Sequence, residues 1–157
     1  MSAREFNVER WAILYARIAL GAAFLSGIAD RFGLWGKNVG YGDFAHFMQY
    51  TAQVNSFMPA FTIPFLAWAA TVAELVLGIA LISGLWLRWA ALGSALLLVL
   101  FGTAMGISFG LKSPLDYSVF SASAAAVLVA LRSSGSASPS PHDSTRTRGG
   151  MDGFTRA

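Results

Sequence analysis

FLAWAATVAELVLGIALISGLWL, Phe65 to Leu87, reads as a membrane-spanning helix except at Glu74, a carboxylate near its middle. A helix crosses about 30 Å of hydrocarbon with roughly 20 apolar residues at ~1.5 Å per residue, and this stretch is long enough. A charge at that depth costs ~2.5 to 3.5 kcal/mol even on lenient insertion scales, so the chain must offer Glu74 a partner.

Working outward, three further apolar segments can be drawn, at about residues 11–31, 89–110 and 115–131, beside the second at about 64–87. The last has only about 15 uncharged residues between Asp116 and Arg132, spanning roughly 22 Å, so its ends must snorkel or Asp116 must lie below the headgroups. The first is too long for the apolar part of a signal peptide and has no clean small-x-small cleavage site, so it is expected to be retained. The chain is 55% hydrophobic and only 12% charged, against about 25% charged residues in soluble domains. The expected fold is an all-α integral membrane protein, an antiparallel four-helix transmembrane bundle over residues 1–132.

The connections refine this expectation. LWLRW, residues 85–89, is a tight turn, and in LKSPLD, residues 111–116, Pro114 is placed to start the last helix. The first connection is long and holds GDFAHFMQYTAQVNSFMP, residues 42–59, where Phe44, Phe47, Met48 and Val54 recur near helical spacing. That pattern predicts an interfacial helix between about Asp43 and Phe57, with a loop packed as a lid over the bundle as the alternative. Residues 133–157 are rich in Ser, Pro and Gly and are expected to form a disordered cytoplasmic tail.

Charge sets the expected orientation. Arg4, Arg10, Arg88 and Arg132 flank one side, joined by Arg146, Arg148 and Arg156 of the tail, while Arg31, Lys37 and Lys112 flank the other. The excess places both termini in the cytoplasm of a bacterial or archaeal plasma (inner) membrane protein. The net charge of +3 comes from helix ends and tail, which is membrane topology and not a nucleic-acid surface. With no cysteine, the chain's own residues cannot make a disulfide, a thiolate metal site or an iron–sulfur cluster. His46 and His142 lie outside the apolar runs, so no haem held by two histidines within the bilayer and no metal site is expected.

Arg17, in the first segment, is the expected partner of Glu74. Glu74 lies ~16 Å and Arg17 ~9 Å from the same side, a difference that two extended side chains can bridge. Two readings of the pair stay open: an ion pair that fixes the packing of the first two segments, or the polar floor of a cavity for a quinone, a proton or a small polar substrate. Asp30, Arg31 and Asp116 form a second candidate group at the opposite ends, with Arg31–Asp116 as a cross-bundle pair or each charge as an interfacial anchor. Trp11, Trp35, Trp86 and Trp89 also fall near predicted interfaces. Gly102, Gly106 and Gly110 repeat every four residues, as do Ala122, Ala126 and Ala130, and these two stripes are expected to pack together.

The residues ARIALGAAFLSGIADRFG, 16–33, and AELVLGIALISGLWLRWAALG, 73–93, with two further short-looped helices, resemble the DoxX/DoxD family of four-helix membrane proteins. The resemblance covers roughly residues 16–131; its most specific part is Glu74 with Gly78, Gly84 and the Arg88 turn. Arg17 and Glu74 match positions that recur in the family, whereas Ser26, Asp30 and Arg31 stand where its members often carry histidine or lysine. The resemblance implies a membrane subunit of a redox assembly, because some members serve a thiosulfate:quinone oxidoreductase and others assemble with soluble redox enzymes. Its expected partners are the lipid bilayer, a quinone held non-covalently, a soluble redox protein and further copies of itself. A non-enzymatic scaffold or assembly factor is the alternative, and autonomous catalysis is not expected of a chain with no electron-carrying residue. A small-solute transporter is the weaker option, because no broken helix or internal repeat marks a midplane site.

Overall fold

The computed structural model describes residues 3–36 and 38–134; residues 135–157 of the expected serine- and proline-rich tail lie outside them, whereas its first two, Ser133 and Ser134, end the last helix. Among the described residues every regular element is helical: α1 (Ala3–Arg31), α2 (Phe44–Val54), a short 3-10 turn (Ala60–Thr62), α3 (Ile63–Ser83), α4 (Leu87–Phe109), α5 (Lys112–Asp116) and α6 (Val119–Ser134). Three helical stretches, Asn7–Arg31, Ala60–Ser83 and Leu87–Phe109, are long and apolar enough to cross a membrane. Many of their large apolar side chains point outward, with Trp11, Phe65, Val76 and Leu96 all more than half exposed. Such a surface suits lipid and would drive association in water.

The contact between α4 and α6 is built largely from small residues, beside Leu20, Phe24 and Leu81 in the same core. Ala90, Ala91 and Ala95 of α4 pack with Ala126, Val129 and Ala130 of α6, letting the two backbones approach closely. The expected pairing of stripes is corrected here. Gly102 receives the Phe120 ring, Gly106 faces Leu111 and Pro114, and Gly110 has nothing within 4 Å. The alanines of α6 instead meet the first half of α4. The reason is the start of α6: Pro114 lies in the separate α5, and the chain turns at Ser118, φ 55°, before α6 begins at Val119.

α1 and α3 meet through glycines. A Cβ at Gly21 would lie 2.9 Å from the Gly78 carbonyl oxygen, and one at Gly78 3.2 Å from that of Gly21. Rising numbers on α1 meet falling numbers on α3: Arg17 reaches Leu81 and Ile82, Gly21 reaches Gly78, and Arg31 reaches Thr71 and Glu74.

Arg17 therefore does not pair with Glu74. Its Nε donates to the Leu81 carbonyl and its Nη2 to the Ile82 carbonyl, both at 2.9 Å. These carbonyls belong to the last turn of α3, where intrahelical donors run out. The helix stops because Gly84 is left-handed, φ 79°, and a Cβ there would meet the Arg17 guanidinium at 2.6 Å. From Glu74 to Leu81 is about two turns, ~10 Å along the axis, so the open carbonyls are the nearer acceptors. Arg17→Leu is expected to destabilise the protein by about 1.5 to 3 kcal/mol, the range for hydrogen bonds to charged groups, read from reversible unfolding in detergent. An unchanged unfolding midpoint would remove Arg17 from the fold's supports.

The predicted helix in the first connection is present and packs on α3 and α4. Its N-cap Asp43 accepts the His46 backbone N–H at 2.8 Å. That bond, followed by the one to the His46 side chain, holds the Asp43 carboxyl below its ordinary value. A depressed folded-state value makes the cap's contribution complete above the ordinary carboxyl range and lost as pH falls through the depressed value. The protection of the His46 amide, relative to its intrinsic exchange rate at each pH, should accordingly fall in acid, and in Asp43→Ala should be low at every pH. Equal protection in parent and variant would rule out the cap.

Candidate functional site

α1 ends in a Schellman motif: the Leu34 N–H bonds the Ala29 carbonyl at 2.9 Å and the Gly33 N–H that of Asp30 at 3.0 Å, with Gly33 left-handed at φ 69°. This stop leaves Arg31 on the last turn, where its side chain folds inward. Arg31 is 5% exposed and Glu74 3%, both enclosed among α1, α2 and α3. Nη2 of Arg31 donates to Glu74 Oε1 at 2.7 Å, and Nη1 donates to Thr71 Oγ1 at 3.0 Å. The Thr71 hydroxyl itself donates to the Ala67 carbonyl at 2.8 Å. The lone acid of α3 thus has its cationic companion in α1, at Arg31 and not at Arg17.

α2 closes the site from above. The Phe47 ring lies over the Arg31 guanidinium, 3.7 Å from centroid to the central carbon, a stacking worth ~0.5 to 2 kcal/mol when desolvated. Tyr41 packs on both Phe47 and Tyr50 with ring centroids 5.3 Å apart, and Phe44 packs on Trp68 at 4.6 Å. Burial pushes the Tyr41 hydroxyl well above its ordinary value, with Tyr50 adding to the shift, so Tyr41 stays neutral.

Asp30 turns the other way. Its Oδ2 accepts the Tyr41 backbone N–H at 3.0 Å, and Gly40 lies so close that a Cβ there would be 2.3 Å from that oxygen. Among the described residues, Asp30 Oδ1 and Arg31 Nε are buried without a hydrogen-bond partner. An unmet buried donor or acceptor costs ~1 to 3 kcal/mol, more when charged, so the cluster is not closed on itself chemically.

Of the five candidate residues, the structure joins Arg31 and Glu74 and sets Asp30 beside them. Arg17 caps α3, and Asp116 is exposed and paired with Lys112 one turn away in α5, so the Arg31–Asp116 pair does not form. Local spacing explains that outcome, since i and i+4 charges on one short helix meet before a cross-bundle partner does. Thr71, Phe47 and Tyr41 were not legible as site residues. Thr71 could have been found three residues before Glu74 on the same helix face, but nothing marks Phe47 as a cover before α2 is placed. Among the described residues, no group of three or more His, Cys, Asp or Glu side chains is arranged to hold a metal ion.

The family model described as DoxX matches residues 12–115. No curated protein and no solved structure matches the chain.

Proposed function

This chain belongs to the DoxX family, and from that premise we propose that it is the membrane-integral anchor of a redox assembly, holding a soluble oxidoreductase at the bilayer. The observation that carries this reading is the Arg31–Glu74 pair, enclosed by three helices with Glu74 only 3% exposed. A carboxylate so enclosed, with its charge answered by Arg31, is shut off from direct contact with a large ligand ring. With no cysteine and no histidine within the apolar segments, electron carriage falls to partner chains.

In this reading α1, α3, α4 and α6 cross the membrane in alternating directions, with both termini in the cytoplasm of the plasma membrane. The enclosure of Arg31 supports the orientation, because a paired, buried cation no longer counts as a loop charge. Arg4, Arg10, Arg88 and Arg132 then stand against Lys37 and Lys112. The Glu9–Arg132 ion pair, 2.7 Å long, supports the start of α1 and the end of α6 lying on one side.

Mass spectrometry of gently purified protein tests the anchor. A soluble oxidoreductase chain in stoichiometric amount is expected, retained by Glu74→Gln provided that this variant folds. Recovery with lipid alone would overturn it. A second reading, a quinone or small polar ligand at the cluster, is favoured by the unmet Asp30 Oδ1 and Arg31 Nε, and its mark is quinone in the same spectra.

A further inference from the structure

The two ends of α2 are held differently. At its C-terminal end Ser108 Oγ donates to the Val54 carbonyl at 2.6 Å and lies 3.1 Å from Ser56 Oγ, a polar pin to α4. At its N-terminal end α2 itself touches its neighbours through rings, Phe47 over Arg31 and Phe44 against Trp68. The chain leading into that end carries four glycines in the left-handed region, Gly33, Gly36, Gly40 and Gly42. Just before α2, the bond from Tyr41 N–H to Asp30 fastens this connection to α1. One end is a pivot, and the other is held by the Asp30 latch and stacked rings, with Trp35 Nε1 bonded to the Ser26 carbonyl at 3.2 Å further back along the connection.

We propose that α2 is a hinged cover over the Arg31–Glu74 pair, latched by Asp30 on Tyr41, and that the site it closes takes a small neutral hydroxyl- or amide-bearing solute. Entry is from the side of the membrane on which α2 lies. Lifting Phe47 bares the face of the guanidinium. The unmet atoms set the chemistry received: Arg31 Nε can donate a hydrogen bond and Asp30 Oδ1 can accept one, so a neutral group that both donates and accepts, a hydroxyl or a primary amide, suits the site. Anions are disfavoured, because Asp30 and Glu74 outnumber the Arg31 cation. The inference rests on the ligand reading of this cluster, but its test measures access. It therefore fails or holds independently of whether quinone co-purifies.

The cysteine-free chain makes access measurable. Thr71→Cys places a thiol beside Glu74, and Gly27→Cys is a second reporter, since a Cβ there meets Glu74 Oε2 at an ordinary 3.5 Å. Ala126→Cys, in the fully buried core, is the control. Full-length protein in lipid nanodiscs is treated with the neutral hydroxyethyl methanethiosulfonate or the anionic sulfonatoethyl reagent, rates being normalised to those with free mercaptoethanol. Local opening predicts that the Thr71→Cys and Gly27→Cys thiols react at least about tenfold faster than the Ala126→Cys thiol, and about tenfold faster with the neutral reagent than with the anionic one. Asp30→Ala should raise the first two rates about fivefold or more and leave the control unchanged. Reporter thiols as slow as the control even with Asp30→Ala would overturn the cover. A control thiol that speeds up in step would show general loosening and overturn it too. An anionic reagent as fast as the neutral one would overturn the assigned class of solute.

Discussion

Glu74→Leu is expected to destabilise the protein by about 3 to 5 kcal/mol, the cost of leaving a buried charge without its counter-ion. Arg31 would keep Thr71 as its one hydrogen-bond acceptor, with Phe47 still closing the route to water. Glu74→Gln should cost less, because an amide oxygen can still accept from Nη2. The double variant Arg31→Met/Glu74→Leu should return to parent stability or exceed it, since replacing a whole buried pair by apolar groups of similar volume is often neutral or better. Unfolding in detergent with a denaturing co-surfactant measures all three. A Glu74→Leu protein as stable as the parent would end the assignment of the pair to the fold, whatever its other roles.

The second large effect is steric. Gly21→Val should force α1 and α3 apart at their closest point, because even its Cβ would lie 2.9 Å from a backbone carbonyl that cannot step aside. Overpacking of this kind typically costs ~1 to 3 kcal/mol, and here it also pulls Arg17 away from the end of α3. Gly27→Ala, on the same helix, is expected to be tolerated, since its Cβ finds ordinary contact at 3.5 Å. Equal unfolding midpoints for the two variants would show that the glycine contact does not set the crossing.

The comparison of Arg17 with Arg31 shows how far the sequence could be read. The run of apolar residues around Glu74 gave the helix, and the cost of a buried carboxylate gave the need for a cation. Arg17, Phe24 and Arg31 are seven residues apart in turn, so both arginines lie on one face of α1. Choosing between them requires the register against α3, which is set by the Gly21–Gly78 contact and by the carbonyls opened at Gly84. Both are properties of two helices together, invisible in either alone. The same limit hid Phe47, whose role as a cover depends on where a long connection folds back. It also displaced the glycine stripe of α4, since the turn at Ser118 shifts α6 relative to the expected pairing.

The Arg17 cap has a consequence for how the protein is made. The first helix carries Arg17 into the lipid before the ribosome has translated its acceptor, the Ile82 carbonyl, 65 residues later. At ~5 to 20 residues per second, that interval is on the order of several seconds. Throughout it the nascent segment has a cation with no internal acceptor, so it must linger at the insertion machinery or the interface until the hairpin that completes it has emerged.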